Sequence, residues 1–334
     1  MSKLMDNLIN LINAAVLAGT PLLFGTLGEI LTEKSGNLNL GVEGMMFMGA
    51  LAGLAGVYLS EALFPGLSGF AVILIALICS FACGAFGAGI YSFITVTLRA
   101  NQNVTGLTLT IFGVGFGNFF GEVLSHSSSS GYVAVSATAK AAFGNINLPG
   151  LSSLPYVGKL LFSYNILVYI GLALAVLLAV FFNRTRWGLN LRAVGEDPAT
   201  ADAASINVNR YKYLATCIGG GICGIGGMYI SMVTCKGVWT HNCVSGQGWI
   251  AVALVIFATW SPARAIVGSM LFGCLIIMRM YVPLSEWGIN IPMQIYDIIP
   301  YAATVLVLII TSIRQSKEHS MPKHCGLNYF REER

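Results

Sequence analysis

The sequence predicts an all-α membrane protein, a polytopic bundle of about nine transmembrane helices. Three features support this fold class: 56% of the residues are hydrophobic, only 10% are charged, and the apolar residues fall in long runs. A soluble domain carries about 25% charged residues because its surface faces water. A run of about 20 apolar residues is long enough to cross the hydrocarbon core of a bilayer as a helix. Most of the chain is therefore predicted to lie in lipid.

The apolar runs set the expected number of spans at nine, within a range of eight to ten. The run at 247–262 is the shortest, and the run at 69–97 is long enough to tilt or to extend past the bilayer. The sequence predicts one transmembrane domain over residues 1–313 and a polar cytoplasmic tail over 314–334. The predicted spans lie at 7–29, 40–60, 69–97, 104–123, 162–183, 213–234, 247–262, 265–283 and 293–313.

The basic residues orient the predicted bundle. Placing the C-terminus in the cytoplasm and alternating the spans backward puts most Lys and Arg residues on the cytoplasmic side, which is the usual bias of membrane proteins. Only Lys3, Lys140, Lys159 and Lys236 fall outside, and Arg279 falls within a span. Nine crossings place the N-terminus outside, and a missed or re-entrant segment would reverse that end.

The polar residues form no familiar catalytic or cofactor-binding pattern. The sequence has no G-x-x-x-x-G-K-[ST] phosphate loop, no H-E-x-x-H metal motif and no G-x-S-x-G nucleophile elbow. The four His residues are scattered, and the eight Cys residues form no C-x-x-C pair. We therefore expect no catalytic residue, no metal site and no cofactor. Cys235 and Cys243 flank a short external loop, and the sequence leaves open whether they are bridged.

An internal polar segment between the fifth and sixth predicted spans carries a helix-start signal. Asp197 supplies an N-cap acceptor and Pro198 suits the first helical position, and the Ala-rich run after them favours helix. The pattern predicts a short helix exposed on the cytoplasmic side, which is either a solvated connector or a docking helix for a cytosolic partner. The candidate residues are Gly195, Glu196, Asp197, Pro198, Ala201, Asp202 and Ala203.

Amide side chains at the ends of predicted spans are candidates for a polar pathway. The Gly-rich turn 36–44 is either an irregular segment at membrane depth or a plain turn, and the sequence favours neither. Irregular backbone at that depth is tolerated only where protein or water covers it. Consecutive amides near lipid are costly unless protein, water or substrate satisfies them. Amides donate and accept hydrogen bonds without supplying charge, so we expect a neutral polar substrate. The alternative is that they only cap helices and bridge neighbouring helices. The candidates are the amides Asn37, Asn39, Asn101, Gln102, Asn103 and Asn118, together with the carboxylate Glu43 at the same turn.

Two further expectations concern packing inside the bundle. Gly113, Gly117 and Gly121 recur every four residues, so they share one helix face and predict a close helix–helix approach. Arg279 and Asp297 lie about 21 and 25 Å above the inner ends of their spans, at 1.5 Å per residue. Unpaired charges at that depth are costly, and the two are therefore predicted to form an ion pair near the outer side.

Three segments together resemble one family of transport proteins; they lie at 36–44 (GNLNLGVEG), 99–106 (RANQNVTG) and 195–210. Over about residues 8–313 the chain resembles the bacterial permeases of the ribose/branched-chain amino-acid class of ABC importers. The nearest resemblance is to the subgroup that works with basic-membrane-protein lipoproteins and imports nucleosides. The chain departs from that subgroup at Asp197 (usually Asn), Ser205 (usually Gly) and Gln247 (where Arg is expected).

The resemblance implies a subunit of an ATP-driven importer in the bacterial plasma membrane. Its implied partners are a second related permease in a heterodimer, two cytosolic ATPase subunits and an extracellular substrate-binding lipoprotein. The 195–206 segment would be the coupling helix seated in an ATPase groove, and ATP would be hydrolysed on the partner rather than on this chain. The expected substrate is a nucleoside. The alternatives are a sugar or branched-chain amino-acid permease and a stand-alone secondary transporter; a membrane-embedded enzyme is disfavoured.

Overall fold

The computed structural model describes residues 2–128, 131–146, 157–281, 298–306, 309 and 321–330. These residues are mostly helical, with one isolated antiparallel bridge between Ala134 and Val238, and the predicted all-α fold class is confirmed. Residues 298–306 are also helical. The helices are α1 (Ser2–Glu33), α2 (Val42–Leu63), α3 (Gly69–Ser92), α4 (Gln102–Ser127), α5 (Ala137–Ala142), α6 (Val157–Leu161), α7 (Ile166–Arg184), α8 (Arg186–Glu196), α9 (Pro198–Ala203), α10 (Val208–Tyr229), α11 (Gln247–Phe257) and α12 (Pro262–Tyr281).

In the described part of the chain, six helices are long and apolar enough to cross a bilayer: α1, α2, α3, α4, α7 and α10. They coincide with the first six predicted spans. α3 and α10 each end in a π-helical turn, over Phe93–Thr97 and Ile230–Thr234. α12 coincides with the eighth predicted span, and residues 298–306 lie within the ninth.

The seventh predicted span, 247–262, is helical only over α11. Eleven residues of helix are about 16 Å long, roughly half the hydrocarbon core of a bilayer. Thr259 and Trp260 both have positive φ, 48° and 53°, so the chain turns sharply before α12 begins at Pro262. The shortness of this apolar run was a signal of an incomplete span, whereas the residue types at the turn were not, because non-glycine residues adopt this backbone region rarely.

α10 lies at the centre of the bundle and packs against α1, α2 and α3. Its glycines permit this, since a Cβ added at Gly227 would lie 1.8 Å from the carbonyl oxygen of Met46 on α2. The glycine face of α4 around Gly113 packs in the same way, because a Cβ on Gly113 would lie 2.4 Å from the carbonyl oxygen of Gly44. The close approach predicted for this face is confirmed, and it fixes the start of α2 against the middle of α4.

Candidate functional site

The turn between α1 and α2, residues 34–41, enters the helix bundle instead of passing over its surface. Leu40 lies against α4 well above its first residue, with the Thr110 hydroxyl donating to the Leu40 carbonyl at 2.9 Å. Thr110 is eight residues beyond the start of α4, which is about 12 Å along the helix. The turn is therefore re-entrant, and α2 begins inside the bundle.

Protein groups satisfy the irregular backbone of this re-entrant turn. The amide N–H of Leu38 donates to Gln102 Oε1 at 2.7 Å, and the Tyr91 hydroxyl donates to the Leu38 carbonyl at 2.5 Å. The N–H of Asn39 donates to Glu29 Oε1 at 3.0 Å. Backbone groups at membrane depth need such partners because no bulk water is present. The structure thus favours the covered, irregular turn over the plain turn.

Glu43 lies at the start of α2 and binds the start of α11. Its Oε1 accepts the N–H of Gly246 at 2.7 Å, and its Oε2 accepts the N–H of Gly248 at 2.6 Å. The side chain is 5% exposed. Carboxylates are favourable at helix N-termini because the first N–H groups lack partners within the helix. Glu43 therefore fixes where the half-length helix α11 begins.

The amides of the re-entrant turn are fully buried. Asn37 Nδ2 donates to Thr216 Oγ1 on α10 at 2.9 Å, while its Oδ1 is buried without a partner in the described structure. Asn39 Oδ1 accepts the N–H of Gly41 at 2.9 Å. Both residues therefore hold the turn in place, and the Asn37 oxygen retains hydrogen-bonding capacity.

The three consecutive amides at the start of α4 have different surroundings. Asn101 is exposed and caps α4, with Oδ1 accepting the N–H of Val104 at 3.1 Å. Gln102 is buried, and Asn103 is exposed. Asn118 lies about 24 Å further along α4 and exchanges hydrogen bonds with Asn242. The structure thus brings Asn37, Asn39 and Gln102 together and leaves Asn118 at the other end of the helix.

The short helix predicted after Asp197 is present as α9, which begins at Pro198 as expected. Asp197 Oδ1 accepts the N–H groups of Ala199 and Thr200 at 3.0 and 3.1 Å, and Oδ2 accepts the Thr200 hydroxyl at 2.5 Å. These hydrogen bonds, led by that of the Thr200 hydroxyl, lower the pKa of Asp197. The cap is therefore charged at neutral pH.

The two faces of α9 differ in what they contact. Ala201 is 3% exposed and packs with Val194 and Val208 inside the chain. Ala203 is exposed, as are Glu196 and Thr200. Only the exposed face is free to receive another protein, and Ala201 supports α9 from below.

The sequence did not predict two features near the end of the bundle formed by α8 and α9, the α9 end. Residues 321–330 pack onto it, with Cys325 only 6% exposed. Two further carboxylates, Glu29 and Glu33, are buried on α1, where Glu33 accepts a hydrogen bond from the indole of Trp260. Their spacing of four residues on an apolar helix was a signal that could have found the carboxylates.

One question left open by the sequence and one prediction have different outcomes. Cys235 and Cys243 are free thiols in the structure. Asp297 and the side chain of Arg279 lie outside the described residues, so their ion pair remains a prediction.

The chain matches the family described as the permease component of the branched-chain amino acid transport system over residues 10–308. It is 34% identical to the putative glucose ABC transporter permease protein TsgC13 of Haloferax volcanii, over 96% of this chain and 98% of that protein. It is 30% identical to the nucleoside ABC transporter permease protein NupC of Lactococcus lactis subsp. cremoris, over 93% and 94%. It is also 30% identical to the guanosine ABC transporter permease protein NupQ of Bacillus subtilis, over 89% and 90%. The same Lactococcus strain has a second, less similar nucleoside permease, NupB, at 23% identity over 76% of this chain and 68% of that protein.

The long apolar helices and the re-entrant turn held by buried polar contacts are those of a multi-pass membrane protein. The chain belongs to the family of permease components of the branched-chain amino acid transport system. It is a permease subunit of an ABC importer and is not itself an enzyme.

Proposed function

We propose that the chain forms half of the channel of an importer that carries a nucleoside into the cell. The observation that carries this proposal is the similarity, at 30% identity over nearly the whole chain, to permeases described as nucleoside and guanosine transporters. The neutral amides of the candidate site agree with an uncharged substrate, since a phosphorylated or acidic solute would call for Arg or Lys. Family membership excludes the stand-alone transporter and the membrane-embedded enzyme as alternatives.

A sugar is the second candidate substrate, because the chain is 34% identical to a permease described as a putative glucose transporter. Amides bind the hydroxyl groups of a sugar and the base of a nucleoside equally well. The candidates are separated by uptake into proteoliposomes that contain the assembled importer, measured with guanosine, uridine, ribose, glucose and leucine. Saturable, ATP-dependent guanosine or uridine uptake supports the proposal. Uptake of glucose alone assigns the chain to sugar transport.

The pathway is proposed to run along α4, beside a second related permease. α4 packs mainly against α2, and its opposite side exposes Ile111 and Phe119 to 75% and 62%. The paired permeases of Lactococcus support a heterodimer. The proposed pathway residues are Asn37, Asn39, Glu43, Asn101, Gln102, Asn103 and Asn118. Several of them hold the walls of the path in place, as Glu43 and Gln102 do through both of their polar atoms.

This pathway is tested by replacing amides that hold no other element in place. Asn103→Ala removes an exposed amide at the mouth of the proposed path, and we expect it to raise the KM for uptake several-fold with assembly intact. Thr108→Ala, about one turn further along α4, is a matched control because, within the described residues, its hydroxyl bonds only to the Val104 carbonyl of its own helix. Wild-type uptake by an Asn101→Ala/Asn103→Ala double variant contradicts the assignment.

The exposed face of α9 is proposed to dock into a cytosolic ATPase subunit, with residues 195–203 as the coupling loop. The same proposal puts the chain in the bacterial plasma membrane, with the α9 end and the C-terminal segment in the cytoplasm and the substrate-binding lipoprotein at the opposite, extracellular end. Ala203→Trp should lower uptake per ATP hydrolysed, because a bulky side chain on the exposed face blocks close packing. Ala201 is unsuitable for this test, since its replacement would disturb the support of α9 within the chain.

A further inference from the structure

Residues 321–330, the tail segment, lie across the α9 end and contact the proposed coupling loop at three points. The N–H of His324 donates to the Gly195 carbonyl at 3.1 Å. The N–H of Lys323 donates to Glu196 Oε2 at 3.4 Å, and the Tyr329 hydroxyl donates to Asp202 Oδ2 at 2.9 Å. Both ends of the coupling loop are thus attached to the tail segment.

The tail segment also holds the start of α4 through Gln102 and Asn328. Gln102 Nε2 donates to the Leu327 carbonyl at 3.1 Å and lies 3.4 Å from Asn328 Oδ1. Asn328 Nδ2 donates to the carbonyls of Arg99 at 2.6 Å and Ala100 at 3.2 Å. These bonds join the tail segment to Arg99 and Ala100, just before the N-cap residue of α4.

Gln102 extends this connection to the re-entrant turn, since its Oε1 accepts the N–H of Leu38 at 2.7 Å. The tail segment makes a second contact with that turn where the N–H of Gly326 donates to the Gly36 carbonyl at 3.4 Å. Within the helices described, α9 packs on α8 and α10, whereas α4 packs on α2 and α3. Gly195 of the coupling loop also lies directly against the re-entrant turn, since an added Cβ would be 2.4 Å from the Lys34 carbonyl oxygen. The tail segment therefore adds a bridge from the coupling loop to the start of α4, which packs on other helices.

We propose that the tail segment transmits movement of the coupling loop to α4 and the re-entrant turn, with Asn328 and Tyr329 as positioning residues in the transport cycle. The proposal rests on the coupling role of α9 given above. When an ATPase partner moves α9, the bonds to Gly195 and Asp202 carry the tail segment along, and Asn328 then displaces the start of α4.

The natural thiol of Cys325 reports whether the tail segment is docked, because it is buried when the contacts are formed. In the complete importer reconstituted in lipid nanodiscs, maleimide labelling of Cys325 is quantified by peptide mass spectrometry, with and without ATP and vanadate. Asn328→Ala should speed labelling about tenfold, because the side-chain hydrogen bonds to Arg99, Ala100 and Gln102 are lost and each such bond can shift an equilibrium several-fold. Uptake per ATP hydrolysed, measured in proteoliposomes, should fall at least threefold.

Tyr329→Phe removes only the hydroxyl bond to Asp202 and keeps the ring, so it separates coupling from loss of folding. We expect a smaller, about twofold to threefold, fall in uptake per ATP, with full assembly of the complex by size-exclusion chromatography. Lys323→Ala is the matched control, because Lys323 bonds to Glu196 through its backbone N–H; it should behave as wild type in both measurements.

Several results would overturn this inference. Faster labelling of Cys325 in both tail variants with unchanged uptake per ATP would make the tail segment a cover only. Unchanged labelling in Asn328→Ala would show that these bonds do not hold the segment. Uncoupling by Ala203→Trp with normal tail variants would refute the bridge alone, whereas normal coupling in all the variants would refute the coupling loop as well.

Discussion

The contact of Glu43 with α11 predicts a large effect from a small chemical change, Glu43→Gln. Glutamine has the shape of glutamate but one acceptor oxygen, so its NH₂ group would face one of the two N–H groups of Gly246 and Gly248. A buried donor left unsatisfied costs about 1–3 kcal/mol. Loss of the negative charge at the N-terminus of α11 adds about 0.3–1 kcal/mol. We expect the variant to be less stable by about 3 kcal/mol.

The measurement is thermal unfolding of the purified protein in detergent, followed by Trp fluorescence, since Trp249 and Trp260 flank most of α11. We expect Tm to fall by about 5 °C or more. Glu61→Gln is the matched control on the same helix: Glu61 also accepts two hydrogen bonds, from Ser136, but water can replace them at this exposed contact. Its effect should stay within about 0.5 kcal/mol. Equal Tm values for the two variants would show that Glu43 does not fix the start of α11.

Three further predictions concern α4, α9 and the end of α12. Gly113→Ala should destabilise the protein by about 1–3 kcal/mol because its Cβ meets the α2 backbone, while Gly115→Ala, in open space on the same helix, should be neutral or stabilising; similar Tm values for both would contradict the packing. Asp197→Ala should speed amide hydrogen exchange in the first turn of α9 several-fold, and unchanged exchange would show that the cap is dispensable. Arg279→Asp should abolish assembly, and adding Asp297→Arg should restore it if the two side chains pair; failure of the exchange would refute the ion pair.

Local signals in the sequence were enough to predict the helices that cross the bilayer and the start of α9. Apolar runs mark α1 to α4 because each such helix must present apolar residues to lipid. Asp197 and Pro198 mark α9 because a cap uses only neighbouring residues. The glycine spacing around Gly113 predicted close packing but not the partner helix, which is set by contacts between distant segments.

The remaining features depend on contacts that leave no local pattern. α11 ends early because Thr259 and Trp260 adopt positive φ, a conformation that their residue types do not predict. The docking of the tail segment uses the backbone N–H groups of His324 and Gly326, which every non-proline residue possesses. Gln102 was predicted to line a pathway because it is polar near lipid. In the structure its amide also hydrogen-bonds to Leu38 of the re-entrant turn and Leu327 of the tail segment, which its local sequence did not predict.

The separation between Gln102 and its partner Leu327, 225 positions along the chain, has a consequence for biosynthesis. At about 5–20 residues per second, the ribosome delivers Leu327 roughly 11–45 s after Gln102. During that interval the helices from α7 to α12 are made, while the Gly36 carbonyl and the Gln102 NH₂ group lack their partners on the tail segment. We therefore expect the tail segment to dock on the α9 end last, and nascent chains stalled before residue 321 to accumulate with that docking incomplete.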